Sequence, residues 1–156
     1  KKLKKPIARS LLINGNVINN SSVVIRKNII DKVKGLSEEF NLVTAEDYNL
    51  WLKISNISNN FKFINRNLGF YFIHESNTLR HDMSIPTRAA SLAYINYLSE
   101  SEKELWDSNL LFMSARYYYL IENYRKAFSM FNMIFYKVSF YKKIKIIIMY
   151  LYKLVF

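Results

Sequence analysis

Two adjacent carboxylates, Glu46 and Asp47, follow Thr44-Ala45 and precede Leu50, Trp51, Ile54 and Ile57 at helical spacing. A threonine at an N-cap position with an acid three residues on is a variant of the capping box, so the pattern predicts a helix starting near Ala45 with both acids in its first turn. The positive end of the helix dipole favours ionised carboxylates there. An aspartate so placed is equipped to act as a base, or the two acids simply cap the helix. His74 closes an apolar run beside Glu75-Ser76-Asn77-Thr78. A neutral imidazole in that position binds a divalent metal or contacts a phosphate, or it is a structural residue. Gly15, between Asn14 and Asn16, is either a plain turn or a place where backbone approaches a ligand.

These residues need elements to hold them. Up to about Pro86 the chain reads as mixed α/β with polar loops, and beyond it as helix throughout. Ser22-Val23-Val24-Ile25 is a β-branched run that suits a buried strand, followed by a short helix over 28–34 with Gly35 as its stop. Phe61 to Ile73 alternates apolar and polar residues around Asn65-Arg66-Asn67, which predicts two β segments joined by a turn. Past Pro86 the spacing predicts helices over 87–98, over 101–122 with Ser101 and Glu104 as cap and partner, and over 124–138. The pair around Ala115, Tyr118, Tyr124, Ala127 and Phe128 faintly resembles a tetratricopeptide hairpin, but one hairpin is not a repeat array.

Composition narrows the class. The 156 residues are 51% hydrophobic and 16% aromatic, with three glycines and two prolines, which excludes disordered and low-complexity classes. Cysteine is absent, so disulfide scaffolds and thiolate chemistry are excluded, and a cytoplasmic setting is expected. A net charge of +11 attracts polyanions: nucleic acid, an anionic membrane surface or a diphosphate-bearing substrate. The chain opens Lys1-Lys2-Leu3-Lys4-Lys5 without a methionine, and a missing upstream segment is expected.

From Lys137 to Phe156 there are five lysines and no acids. At 100° per residue Lys142, Lys145, Met149 and Lys153 share one face and Ile144, Ile147, Ile148, Leu151, Leu154 and Val155 the opposite one, with Tyr150 and Tyr152 on the flanks. The stretch falls short of the roughly 20 residues that cross a bilayer. Residues 140–156 therefore read as an amphipathic helix lying on a membrane surface, or as a final core helix with a solvated lysine stripe.

Taken in order, three blocks resemble the C-terminal half of the catalytic domain in family-2 glycosyltransferases of the GT-A fold. Asn16 to Lys27 looks like the segment entering a late strand, with Val33-Lys34-Gly35-Leu36 similar to the Val-Gly-Gly-Phe that follows it. Ala45-Glu46-Asp47-Tyr48-Asn49-Leu50-Trp51-Leu52-Lys53 is close to the Glu-Asp-x-Asp-Leu-Trp-Leu-Arg block, with Asn49 in place of the second Asp. Leu68-Gly69-Phe70-Tyr71-Phe72-Ile73-His74 resembles the strand ending Tyr-Arg-x-His, with Phe72 at the Arg position.

The resemblance implies an α/β fold: the C-terminal part of a GT-A domain over 1–85 and a helical extension over 86–156. It implies an inverting transfer of sugar from a nucleotide-sugar donor to a saccharide or lipid-linked acceptor, in surface polysaccharide or glycoconjugate synthesis. Asp47 is then the base that deprotonates the acceptor hydroxyl, and Glu46 its neighbour. Gly15 and Asn16 lie near the donor loop, and Trp51 is chiefly a core anchor within the substrate-binding set. His74 is a ligand for a divalent metal, Mg or Mn, that offsets charge on the departing diphosphate. The family's nucleotide-binding units and Asp-x-Asp motif are absent from the chain, so the missing N-terminal half is an expected partner and the chain alone should be inactive. With the basic tail, the expected location is the cytoplasmic face of the cell membrane, held peripherally.

Two other classes compete. A non-enzymatic helical module binding a membrane surface or a protein is represented by the tail from Pro86 onward. A nucleic-acid binder is supported by charge alone and lacks the basic-aromatic and zinc-finger motifs of such modules, so no nucleic-acid partner is expected.

Overall fold

The computed structural model describes residues 3–67, 69–70 and 81–155. Among the described residues the chain forms α1 Ile7–Asn14, α2 Lys27–Lys32, α3 Glu46–Ile57, α4 Ser84–Leu92, α5 Glu100–Leu120, α6 Tyr124–Ile134 and α7 Phe140–Val155, with short 3-10 turns and no strand. This overturns the expected α/β class and the GT-A assignment that came with it.

The reason is visible at the strand expected over 22–25. Asn19 captures the chain first: its side chain accepts from the Ser21 amide at 3.3 Å and its carbonyl from the Ser22 hydroxyl at 2.8 Å, closing the 3-10 turn Asn20–Ser22. Short Asn and Ser side chains offer the backbone such local bonds in competition with a ladder. Val23 to Arg26 follow without helix or strand, and Val24 is 103% exposed. A β-branched run is stabilised in a sheet by cross-strand neighbours, and the described residues supply none. The described part of the second expected β region is also coil, with Phe63 and Ile64 exposed. Its remainder, including His74, lies outside the described residues.

The chain divides into two compact units. One comprises the described residues of Lys1–Thr78 together with Ile85–Ser99, the other those of Leu79–Ser84 together with Glu100–Phe156. In the first unit α1 packs on α3. Ile7, Ala8, Leu11 and Leu12 form one stripe of α1, and Tyr48, Trp51 and Leu52 one stripe of α3, all buried. The Tyr48 hydroxyl donates to the Leu11 carbonyl at 3.2 Å, and the Ile7 amide to the Asn59 side chain at 2.8 Å. Burial without a charged partner pushes the Tyr48 phenol up. Asn49 is buried and donates to the Ala90 carbonyl at 3.3 Å. An ionised aspartate has no donor for that carbonyl, which explains the amide at this position.

Helix boundaries shift from those read in the sequence. Helix α3 begins at Glu46 with Ala45 as its N-cap, because Thr44 adopts φ 75° and leaves the capping position. Helix α2 ends at Lys32, and Gly35, at φ 65°, donates to the Ile30 carbonyl at 3.0 Å to close its end. Helix α4 is shorter than expected and is followed by the 3-10 turn Ile95–Tyr97. Helix α5 starts at Glu100, placing Ser101 inside its first turn.

In the second unit α5 and α6 form a hairpin across residues 121–123, where Glu122 takes φ 62° and the Asn123 side chain accepts from the Lys126 amide at 3.3 Å. Phe112, Ala115, Ala127, Phe131, Ile134, Val138 and Ile146 make its core. Helix α7 is seated by Ile146 and by Tyr150, whose ring stacks on Phe128 at 4.1 Å while its hydroxyl donates to the Phe128 carbonyl at 3.1 Å. Lys142 lies on this inner side, over the Phe112 ring at 4.9 Å and bonded to Asn109. Lys142 and Met149, on the face expected to be solvated, thus pack inward, and the isoleucine face is exposed.

Burial, with Lys145 and Arg116 nearby, lowers the Lys142 amine to about 8. The folded form therefore releases this proton before the unfolded chain does, and stability rises as pH climbs from about 8 toward the ordinary 10.5. The half-buried Tyr119 and Tyr150 phenols, pushed up, oppose this only above their ordinary 10.0. Urea midpoints should rise between about pH 7 and pH 9.5, and Lys142→Met should remove that increment.

Candidate functional site

The described residues bring four of the sequence-derived site residues to the start of α3. Helix α1 ends at Gly15, whose amide donates to the Leu11 carbonyl at 2.7 Å and whose backbone sits at φ 76°, ψ −167°, a conformation essentially reserved for glycine. That turn delivers Asn16 to α3. The Asn16 amide nitrogen donates to both carboxylate oxygens of Asp47, each at 3.1 Å. Oδ1 also accepts from the Tyr48 amide at 2.6 Å.

A carboxylate offers about four lone-pair sites. Oδ1 of Asp47 has accepted twice and Oδ2 once, so Oδ2 keeps capacity for one more donor. Asp47 is half-buried and Asn16 exposed, leaving the pair open to an incoming hydroxyl. Asp47 is therefore oriented by a neutral amide and by its own helix terminus, without a cation at hydrogen-bond distance among the described residues.

Glu46 points elsewhere. It lines an open groove of about 480 Å³ bounded by Lys34, Gly35, Leu36, Glu38, Glu39 and Val43, with Ser37 completing the wall. Its Oε2 is buried without a hydrogen-bond partner among the described residues. Two further atoms on the same helix share that condition, Asn49 Oδ1 and Trp51 Nε1. Buried polar atoms without a partner cost stability. The backbone beside the groove is also strained, since β-branched Thr44 and the long side chain of Lys34 both occupy positive φ, at 75° and 58°.

Trp51 is 2% exposed and packs in the core one turn beyond Asp47, so its ring presents no open surface to a ligand. His74 lies outside the described residues, and its expected position beside Asp47 with it. No group of three or more His, Asp or Glu side chains that could hold a metal occurs among the described residues. Glu46 and Asp47 do not by themselves make a ligand set for the expected Mg or Mn. The groove residues Lys34, Ser37, Glu38 and Glu39 were missed in the sequence. The one signal there was the acid pair Glu38-Glu39 just after a glycine stop, which reads equally as a solvated loop.

Compared with known proteins, the chain matches no family, no curated protein and no solved structure.

Replacing Gly15 tests how Asn16 is aimed. Nothing lies within 4 Å of a Cβ added there, so any penalty comes from the backbone alone. Gly15→Ala is expected to cost about 1–3 kcal/mol in chemical denaturation. Amide exchange at Asp47 and Tyr48 should accelerate in parallel as Asn16 loses its register. Asn16→Ala should reproduce the faster exchange with a stability loss below about 1 kcal/mol, because the bond is exposed.

Proposed function

We propose that this chain carries the acceptor-activating carboxylate of an inverting glycosyl transfer, with Asp47 as the base. The observation that supports it is the clamp of Asn16 on both Asp47 oxygens at 3.1 Å, which orients the carboxylate at an open edge and leaves Oδ2 with a free lone pair. The proposal rests on this pair and on the neighbouring groove, and not on the α/β fold.

The chemistry balances simply. An acceptor hydroxyl, of a saccharide or lipid-linked glycan, attacks the anomeric carbon of a nucleotide-sugar. As the new C–O bond forms, the bond to the nucleoside diphosphate breaks on the opposite face, and the hydroxyl proton passes to Oδ2 of Asp47. A positioned base helps because the hydroxyl becomes acidic only as it attacks. Glu46 turns into the neighbouring groove, where Lys34, Ser37 and Glu38 offer hydrogen-bonding groups to a polar ligand. A divalent cation on the donor diphosphate and a nucleotide-binding half supplied by a further segment belong to the same proposal, with no ligand assigned among the described residues.

A second reading is favoured by one observation, the exposed apolar face of α7: a helical module that binds a membrane surface or a protein without catalysis. In the membrane-surface form of this second reading the protein sits peripherally at the cytoplasmic face of the cell membrane, and neither reading includes a nucleic-acid partner. Among the described residues no helix is long and apolar enough to cross a membrane.

Transfer assays on the protein expressed from its complete reading frame, using a panel of nucleotide-sugars, test the first reading. Asp47→Asn preserves the side-chain volume and one acceptor for Asn16 but removes the base, and kcat should fall about 10²–10⁴-fold with the donor KM nearly unchanged. Turnover within threefold of the parent would remove Asp47 from the role.

A further inference from the structure

The inner side of α7 is fully accounted for. Ile146 is 1% exposed, Met149 and Tyr150 pack on the α5–α6 hairpin, and Lys142 and Lys153 lie over the rings of Phe112 and Tyr124 at 4.9 and 4.4 Å. Turned away from the hairpin are Phe140, Ile144, Ile147, Ile148, Leu151 and Leu154, all exposed, with Ile148 at 58% and Leu154 at 81%. Their spacing of three and four residues makes one continuous stripe along the 16-residue helix, about 24 Å long at 1.5 Å per residue. An exposed apolar stripe of this extent on a folded protein marks an interaction surface.

The charges decide what covers it. At about 100° per residue, Lys143 and Lys145 fall on opposite flanks of Ile144, one on each rim of the stripe. Lys145 lies 4.6 Å over the Tyr141 ring and Lys143 6.0 Å over Tyr136, and both tyrosines are themselves exposed. Aromatic rings and lysine stems beside an apolar face place their polar ends where headgroups begin. From Asn123 to Phe156 there are seven basic residues and no acids. A second copy of this chain would bring the same uncompensated positive charge against itself, which disfavours self-association through the stripe. An anionic surface with an apolar interior satisfies both features.

We propose that α7 docks flat on an anionic lipid bilayer by this outward stripe, with Lys143 and Lys145 at the phosphate level and Lys142 and Lys153 retained against the protein. The proposal rests on the membrane-surface reading above and is independent of the Asp47 chemistry.

The test is co-sedimentation of the chain with vesicles of phosphatidylcholine alone and with about 30% phosphatidylserine. Binding is expected on the anionic vesicles, weakening as salt rises. Ile148→Asp/Leu151→Asp should fold normally by circular dichroism, since both positions are exposed, and lose at least tenfold in partitioning. Lys143→Gln/Lys145→Gln should lose about fivefold per lysine on anionic vesicles only. Vesicle binding that survives Ile148→Asp/Leu151→Asp would overturn this docking face while leaving membrane association standing. Absence of any vesicle binding would overturn both. Concentration-dependent dimers in sedimentation velocity that the Asp pair abolishes would assign the stripe to a second copy instead.

Discussion

Burial of Tyr48, Trp51 and Leu52 against α1 gives helix α3 one rotational setting, and everything described about the candidate site follows from that setting. A helix of twelve residues with three large side chains sealed on one stripe cannot turn without exposing one of them, and each costs several kcal/mol to uncover. With the stripe inward, the first-turn acids are held at the edge of the unit. Asp47 meets the residue that follows the α1 terminus, and Glu46 meets the groove formed by the loop after α2. The same packing that stabilises the unit therefore selects which carboxylate is clamped and which is left with an unpartnered oxygen.

The second unit obeys an analogous constraint with a different result. Ile146 and Tyr150 each find a place on the α5–α6 hairpin, and the Phe128–Tyr150 stack fixes the helix about its axis. The hairpin offers room for a narrow strip of α7, and a strip with a lysine at either end fills it because lysine stems and ammonium groups both pack on aromatic rings. Lys142 loses solvation in the process, which lowers its amine toward neutrality. The broader, purely aliphatic face is left outward. A surplus of positive charge runs along the same helix.

Much of the helical part was legible in residue spacing. The first turn of α3, the glycine stop after α2, the hairpin of α5 and α6, and an amphipathic α7 all appear as local periodicity, caps and breakers, which depend on near neighbours alone. The strand expected over 22–25 does not form because β preference is a statement about partners: Val24 carries the right side chain and has no ladder to join among the described residues. The block around Glu46-Asp47 likewise names residue types whose chemistry the sequence suggests, while the α/β scaffold implied with it is absent from the described residues.

Sequence by itself determined that the acids sit at a helix start, that Gly15 permits a turn no other residue makes easily, and that the tail is amphipathic and basic. Each is set by residues a few positions apart. Tertiary structure alone decided that Asn16, 31 positions away, clamps Asp47, that Trp51 is sealed rather than presented, and that α7 turns its isoleucines outward. A helical wheel shows two faces but carries no information about which one a neighbouring surface has room for. That choice is made by the shape and rings of the α5–α6 hairpin, through contacts that local spacing does not encode.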